Sequence, residues 1–427
     1  MSDNTLQEQR EKTLRLAELN ALDPISFEEM QEVFDKWMLL PDRHIIKFLI
    51  SCYCANELAQ RPVWAMIVAA SGGGKTELLN SLLDLPKMYS ISSLTPQTFL
   101  SGMGGSKDPS LLPKVAGKIL VFKDWTVILS MQKDARAELF GQLRDIHDGA
   151  MTKEFGNGQT RVWTGKVSIV AACTESIDLN QQQNAHLGER FIYYRPLMPA
   201  RLEVAMRALN NAAYQETMGK ELRNAVYAFI KNIKFSEFGE LPELEDEVKR
   251  ELVHLTNFCT LSRSSVIRDF GFKKEVIFVP APEMPTRMLQ QLSLLASGAM
   301  VANGGELLSS DVEMIYKTAL DSIPRTNYMV IRELAKADGQ STSAIASALG
   351  YPTDTIRTYC ENITLIGVCT RQKESGKGDR WTMKPEFVDI IRRYEKIQAL
   401  SLEAIKERED AGKSPEELSA DEAFGEM

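Results

Sequence analysis

The stretch Val63-Trp-Ala-Met-Ile-Val-Ala-Ala-Ser-Gly-Gly-Gly-Lys-Thr-Glu-Leu-Leu79 decides the fold. A short apolar run breaks into three glycines and then resumes at helical spacing, which predicts a strand, a phosphate-binding loop and a helix. Residues 69–76 fit the spacing of the Walker A motif, except that alanine stands where the motif has its first glycine.

The residues of this loop have the chemistry that a polyphosphate requires. Successive glycines let backbone N–H groups turn inward around phosphate oxygens, and the positive end of the following helix points at the same anion. Lys75 can reach the β- and γ-phosphates, and the Thr76 hydroxyl can bind Mg²⁺. The alternative is a glycine-rich turn without a ligand, which needs neither the lysine nor the hydroxyl at these offsets. The predicted nucleotide contacts are Ser71, Gly72, Gly73, Gly74, Lys75 and Thr76.

The chain around this loop has the pattern of an α/β protein. From Pro62 onward, strands alternate with helices, which predicts a mostly parallel sheet with helices on both faces. Upstream, residues 1–60 carry helical patterns, one of them opened by Ser26 with Glu29 in capping-box spacing. A long loop rich in serine, glycine and proline is expected at residues 92–113. The five strands are expected near residues 63–69, 88–92, 117–123, 165–173 and 190–195.

Composition and charge narrow the classes of protein to consider. The chain has 427 residues, of which 25% are charged and 44% hydrophobic, and a net charge of −8. No apolar run is long enough to cross a membrane and the N-terminus is too polar for a signal peptide, so we expect a cytoplasmic protein with no membrane partner. The six scattered cysteines predict reduced thiols in the core. An acidic tail, residues 399–427, contributes most of the net charge, so any contact with nucleic acid is local.

A second chemical element is the apolar strand that ends at Asp124. The carboxyl ends of parallel strands meet at one edge of a sheet, so Asp124 can lie beside the phosphate loop and hold the Mg²⁺ shell or orient a water. No second carboxylate adjoins it, since Lys123 precedes it and Trp125 follows it. The alternative is an aspartate that only caps a turn.

A β-hairpin is predicted over residues 151–163, where two alternating arms meet at Gly156-Asn-Gly158. Lys153 and Arg161 lie on its arms. Such a hairpin can reach DNA phosphates or can pack on neighbouring structure, and the sequence leaves both interpretations open.

The order of these motifs resembles the AAA+ ATPases, in particular the MCM-type helicases and related ATPases of phages and mobile elements, over residues 62–383. The resemblance implies that Thr174, which ends Ala171-Ala-Cys-Thr174, orients the attacking water. It also implies that Arg190, in Glu189-Arg190-Phe191, completes the site of the next subunit in a homo-oligomeric ring, a hexamer. Arg287 matches the arginine at the start of a lid helix that contacts the γ-phosphate. For Arg190, the alternative is an ordinary arginine at a strand edge that pairs with Glu189. For Arg287, it is a solvated arginine on a helix.

Residues 326–383 have the pattern of a winged helix-turn-helix, with three short helices followed by a hairpin. Its third helix offers Arg357 to a DNA groove, and docking of a protein is the alternative role. The hairpin offers four cations to phosphates, namely Arg371, Lys373, Lys377 and Arg380.

Together these features predict an α/β fold with a phosphate loop, five parallel strands and a C-terminal winged helix, and the resemblance implies that this is a P-loop AAA+ core with a helical lid. The expected divisions are 1–60, 61–197, 198–322, 323–398 and 399–427. The expected function is an ATP- and Mg²⁺-dependent, helicase-like motor on DNA that replicates a phage or mobile element. A non-translocating ATPase switch (a helicase loader, initiator or transcription regulator) and a nucleotide-dependent interaction protein are the alternatives. The predicted catalytic residues are Lys75, Asp124, Thr174, Arg190 and Arg287.

Overall fold

The computed structural model describes residues 3–102, 108–179, 190–197, 201–269, 271, 274–374 and 378–411. The bounds of its helices are α1 Asp3–Asn20, α2 Phe27–Trp37, α3 His44–Leu58, α4 Lys75–Asn80, α5 Leu112–Val115, α6 Thr126–Leu129, α7 Lys133–His147, α8 Ser176–Leu179, α9 Arg201–Asn211, α10 Gln215–Asn232, α11 Phe235–Phe238, α12 Asp246–Arg263, α13 Thr286–Ala302, α14 Ser309–Asp321, α15 Arg325–Leu334, α16 Thr342–Leu349, α17 Thr353–Leu365 and α18 Pro385–Ala411. No helix within these ranges is both long enough and apolar enough to span a membrane.

The strands form one central sheet and three small antiparallel ones. Their bounds are β1 Trp64–Val68, β2 Met88–Ile91, β3 Ile119–Phe122, β4 Ala150–Glu154, β5 Thr160–Thr164, β6 Ser168–Cys173, β7 Phe191–Tyr194, β8 Ile267–Arg268, β9 Val276–Phe278, β10 Gln340–Ser341, β11 Cys369–Glu374 and β12 Gly378–Met383. The central sheet has the order β2-β3-β6-β1-β7, and each pairing in it is parallel. The predicted five-stranded parallel sheet is confirmed.

Two hydrophobic cores lie on the two faces of this sheet. Alternate residues of β1 point to opposite faces, so Ala65 and Ile67 join one core while Trp64, Met66 and Val68 join the other. The first core runs on through α2, α3 and α12–α18. The second covers α6, α7 and part of the loop before β3. β1, β3 and β6 are apolar and buried along their whole length, as expected for parallel strands covered on both faces.

The crossing of α3 and α13 is unusually close. A Cβ at Gly298 would overlap the carbonyl oxygen of Ser51 and lie 2.9 Å from the Cβ of Ala55. The glycine therefore lets the backbones of the two helices approach each other.

Capping residues that the local sequence indicates are found at the ends of two helices. Ser26 and Glu29 form the predicted capping box of α2. Ser341 caps α16, and Gly350 ends it in the left-handed conformation. All six cysteines are buried and free, as predicted.

Two helices differ in length from their predicted bounds. The apolar spacing of residues 76–85 predicts a helix over that whole stretch, but the helix ends at Asn80 and continues as turns with hydrogen bonds to the third preceding residue. The pattern of residues 383–400 predicts a last helix that ends at Leu400, but the helix runs on to Ala411, because residues 401–411 are rich in strong helix formers. The rest of the acidic tail lies outside the described residues.

Candidate functional site

The predicted phosphate loop, Asp124 and Thr174 line one cavity at the carboxyl edge of the central sheet. Its volume of about 430 Å³ is within the usual range for a small-molecule site. The loop follows β1, Asp124 follows β3 and Thr174 follows β6, and these three strands are neighbours in the sheet. The lining residues are Trp37, Met38, Leu39, Leu40, Ser71, Gly72, Gly73, Gly74, Lys75, Thr76, Glu77, Lys123, Asp124, Thr174, Val204, Arg207, Ala208, Asn211, Gln215 and Met218.

The conformation of the loop depends on two of its glycines. Gly72 and Gly74 have φ of 76° and 74°, a region that side chains with a Cβ rarely enter. Gly74 is also the residue from which α4 begins, and a Cβ there would lie 2.9 Å from the terminal methyl of Met38. The segment before α3 therefore rests directly on the loop.

Lys75 occupies the centre of this arrangement. Its Nζ donates hydrogen bonds of 2.7 Å to the carbonyl oxygens of Ala69 and Ala70. Partial burial lowers the pKa of Lys75, while the nearby Asp124 carboxylate opposes that effect. The ammonium group is held by neutral acceptors, and phosphate oxygens would bind it more strongly.

Asp124 caps a turn and lies at the cavity. One carboxylate oxygen, Oδ1, accepts hydrogen bonds from the backbone N–H of Thr126 at 2.9 Å and from the Thr126 hydroxyl. The aspartate thus caps a turn, and it also lines the cavity. Thr174, on the neighbouring strand end, has its hydroxyl 2.7 Å from that of Ser176.

Two walls of the cavity carry no motif and were missed from the sequence. Residues 37–40 form one of them and α9 with the start of α10 forms the other. Side chains of α9 join the two walls, since Arg207 Nη1 donates to the carbonyl of Lys36 at 2.8 Å and Asn211 Nδ2 to that of Trp37 at 2.7 Å. These walls are distant from the loop in sequence, and no spacing rule connects them to it.

The segment after Thr174 is bound to the C-terminal helices. Glu175 forms an ion pair with Arg325, the first residue of α15. Asp178 receives two hydrogen bonds, of 2.9 and 2.8 Å, from the guanidinium of Arg195. The backbone N–H of Arg195 donates in turn to Asp321, the last residue of α14. The end of β6 and the start of α15 are therefore in direct contact.

Arg190 and Arg287 lie at the opposite, amino edge of the sheet. Arg190 directly precedes β7, and Phe191 pairs with Trp64 at the start of β1. The side chain of Gln291, in α13, bonds to the backbone of both Trp64 and Arg190, which places the beginning of α13 at the same edge. A five-residue strand spans roughly 17 Å. Neither arginine lines the described cavity of its own chain.

The two arginines differ in how far they reach solvent. The side chain of Arg190 is 5% exposed and donates to Asp148 at 2.8 Å, whereas that of Arg287 is 37% exposed and lies 3.6 Å from Glu283. Glu189, the alternative partner of Arg190, lies outside the described residues. Burial also lowers the pKa of the adjoining His147 to about 4.

The hairpin cations are held within the chain. Lys153 donates to the carbonyl of Pro96 at 3.0 Å and lies 3.6 Å from Glu138. Arg161 lies 3.8 Å from Asp108. The hairpin β4–β5 thus packs on the loop that precedes β3, one of the two arrangements that the sequence left open.

The basic residues of the predicted winged helix differ in their bonding partners and in their exposure. Arg371 is bound by both carboxylate oxygens of Asp379, at 2.8 and 2.7 Å, and this contact raises its pKa. Arg357 is paired with Asp354 at 3.3 Å, and Arg380 donates to the carbonyl of Gly339. Lys373 is exposed, and Lys377 lies outside the described residues.

No family model and no curated protein matches this chain.

Proposed function

We propose that this protein binds ATP with Mg²⁺ in the cavity at the carboxyl edge of the sheet and hydrolyses it. The observation that supports this most directly is the convergence of the glycine loop, Lys75, Asp124 and Thr174 on one cavity. These residues come from three strand ends that are separated by up to about a hundred positions in the chain, yet their functional groups share a single space.

The residues of the cavity fit the steps of phosphoryl transfer. Backbone N–H groups of residues 71–76 bind the β- and γ-phosphates, and Lys75 exchanges two backbone carbonyls for phosphate oxygens. The Thr76 hydroxyl and the Asp124 carboxylate are suitable ligands for Mg²⁺, which would neutralise charge on the β- and γ-oxygens. Thr174 orients the attacking water. Glu77 is also among the lining residues and would be a second carboxylate at the site.

The two predicted catalytic arginines do not line the cavity of their own chain. Any part that Arg287 takes in hydrolysis would therefore be in another copy of the chain, whereas Arg190 is only 5% exposed and is paired with Asp148. A homo-oligomeric ring, as the resemblance to AAA+ ATPases implies, brings such residues to the site of the next subunit. On this proposal the core is an AAA+ core, and α9–α14 form its lid.

The proposed output is work on DNA, with helices α15–α17 and the strands β10–β12 as a winged helix. The exposed Lys373 and the start of α17 support a contact with DNA phosphates. The resemblance to helicases favours a motor. A switch, in which ATP controls assembly without translocation, is favoured by a specific observation: Lys153 and Arg161 are engaged within their own chain rather than presented to a DNA strand.

Nucleotide titrations and turnover measurements test the ATPase proposal. We expect Mg²⁺-ATP to bind, Lys75→Ala to remove binding, and Asp124→Asn to retain binding while turnover falls. The exposed Lys234, which does not line the cavity, provides a control in Lys234→Ala. Binding that survives Lys75→Ala unchanged would contradict the proposal.

Turnover with and without single- and double-stranded DNA separates the two outputs. A motor predicts stimulation by DNA that Lys153→Ala removes while basal turnover is kept. A switch predicts that ATP binding alone, even with Asp124→Asn, supports assembly on DNA. If DNA changes neither turnover nor assembly, a nucleotide-dependent interaction protein is the function that remains.

A further inference from the structure

A group of largely buried charged side chains lies beside the carboxyl end of β7, outside the cavity lining. At its centre is Lys317, in α14, whose side chain is 9% exposed. Its Nζ donates to a carboxylate oxygen of Asp321 at 2.8 Å and to the carbonyl oxygen of Arg195 at 2.6 Å. It also lies 3.8 Å from a carboxylate oxygen of Asp42 and 4.9 Å from the centre of the Tyr194 ring. One ammonium group therefore joins two acidic residues that are far apart in the chain.

The first of these acidic residues, Asp42, is connected to one wall of the cavity. Residues 37–40 form that wall, and Asp42 follows it by two positions. Its Oδ1 accepts a hydrogen bond from the Tyr194 hydroxyl at 2.8 Å, and its Oδ2 accepts one from the backbone N–H of Leu197 at 3.2 Å. Tyr194 pairs with Ile67, one residue before β1 ends and the phosphate loop follows. The carboxylate of Asp42 thus ties the wall to the carboxyl end of the sheet.

The second acidic residue, Asp321, leads to another part of the cavity lining. Its Oδ2 accepts a hydrogen bond of 2.7 Å from the backbone N–H of Arg195, and its carbonyl oxygen accepts one of 2.8 Å from Nε of the same arginine. The two terminal nitrogens of that guanidinium bind both carboxylate oxygens of Asp178, at 2.9 and 2.8 Å. Asp178 lies in α8, and a backbone N–H of this helix donates to the carbonyl oxygen of Thr174 at 3.2 Å. The path from Lys317 therefore ends at the residue that would orient the attacking water.

The buried position of these charges makes each of them depend on its partners. Burial raises the pKa of Asp321, and Lys317 is the first of the groups that oppose this rise. Removing one partner of a buried ion pair is strongly destabilising, whereas replacing the whole pair by apolar residues is often neutral or stabilising. Stability alone therefore does not account for a network that reaches two parts of one cavity.

We propose that Lys317 is a positioning residue for the nucleotide site, which holds the wall of residues 37–40 and the segment that carries Thr174 in fixed positions relative to each other. The inference rests on the proposed ATPase function and assigns a part in it to a residue that does not line the cavity. Lys317 acts on nucleotide binding through Asp42 and the wall. It acts on hydrolysis through Asp178 and Thr174, so the two paths have different kinetic effects.

Two variants of the full chain separate the two paths. Asp42→Asn removes the charge that faces Lys317 but can still accept the hydrogen bond of Tyr194. We expect its affinity for a fluorescent ATP analogue to fall about threefold to tenfold, with turnover at saturating ATP kept. Asp178→Ala releases α8 from Arg195. It should lower turnover at saturating ATP by roughly tenfold to a hundredfold and leave the affinity within about twofold, because small misplacements of a group at the reacting centre reduce the rate by such factors.

Changes at Lys317 itself distinguish positioning from stability. Lys317→Met should lower the affinity, the turnover and the urea midpoint, because Asp42 and Asp321 lose the lysine as their counter-charge. Adding Asp321→Asn removes one of the two carboxylate charges, so the urea midpoint should recover while affinity and turnover stay low. Lys249→Met is the matched control, since Lys249 is an exposed lysine paired with Asp246 at 3.5 Å, and it should behave as the unmodified chain.

Three results would overturn the inference. The first is a Lys317→Met variant with the affinity and turnover of the unmodified chain, which leaves the ATPase proposal standing. The second is recovery of affinity and turnover together with the urea midpoint in the double variant, which indicates a role in stability alone. The third is the same kinetic change in Asp42→Asn and Asp178→Ala, which indicates that the two paths are not separate.

Two further outcomes are distinguished by the same measurements. If Lys317→Met does not fold, the variants Asp42→Asn and Asp178→Ala decide the matter, because both keep the buried lysine paired with Asp321. An unmodified chain that binds no ATP would refute the proposed function and this inference with it.

Discussion

Replacing Gly298 by alanine tests how closely α3 and α13 must approach. The new Cβ would overlap the carbonyl oxygen of Ser51 and crowd the backbone N–H of Ala55. Because these are backbone atoms, no rotamer change relieves the overlap and the helices must separate. Alanine in a helix interior is otherwise favoured over glycine by roughly 0.5–1 kcal/mol. Overpacking typically costs about 1–3 kcal/mol, and a backbone clash falls at the upper end. We expect a net loss of about 2 kcal/mol in the free energy of unfolding.

The matched control is Gly141→Ala in α7, where the nearest atom to a new Cβ is Arg144 Nη2 at 3.7 Å. With no clash, only the helix preference remains, and stability should rise by roughly 0.5–1 kcal/mol. Urea denaturation followed by circular dichroism and by tryptophan fluorescence measures both variants. Equal stability of the two variants, or a stabilised Gly298→Ala, would refute the close crossing. Gly298→Ala should also weaken ATP binding, since α13 bonds to the start of β1 through Gln291.

Three further predictions concern the site and its surroundings. Gly72→Ala and Gly74→Ala should each strain the loop by about 1 kcal/mol, because both glycines have positive φ. Calorimetry should show the larger loss of ATP affinity for Gly74→Ala, because its new Cβ also displaces the terminal methyl of Met38. Burial holds the pKa of His147 at about 4, below its ordinary value of 6.5. Between these two pH values the unfolded chain binds more protons than the folded one, so the free energy of unfolding decreases as pH falls, by up to about 3 kcal/mol. Urea midpoints at pH 4.5 and 7 should show this slope, and His147→Gln should flatten it. Asp379→Asn combined with Glu361→Gln neutralises both carboxylate partners of Arg371, so DNA affinity by fluorescence anisotropy should rise and its salt dependence should steepen by about one counterion. Unchanged affinity would exclude this arginine as a phosphate contact.

The parts of the fold that could be predicted are those that depend on short, contiguous stretches of sequence. Each central strand lies within a residue or a few of its expected position, because continuous apolar runs bounded by turn residues have few other solutions. The phosphate loop and its helix could be placed because glycines at positive φ, a lysine and a hydroxyl follow each other at fixed offsets. Asp124 and Thr174 could be brought to the same edge because parallel strands end together.

The parts that could not be predicted depend on contacts between distant segments. Nothing near Met38 or Arg207 indicates that these residues line the same cavity, since the hydrogen bonds that join their segments run from side chains to backbone carbonyls. The sequence likewise offered Arg371 as a phosphate contact, whereas Asp379, eight residues away, is its partner across the strand pair. Counting cations in a segment does not reveal which of them are already neutralised.

The junction after β6 links the cavity directly to the C-terminal helices. Thr174 and Glu175 are consecutive residues, yet the first borders the cavity and the second is ion-paired with the opening residue of α15. On the proposed function, a displacement of Thr174 by bound nucleotide would reach α15 through the next residue of the chain, with no large movement of the central sheet.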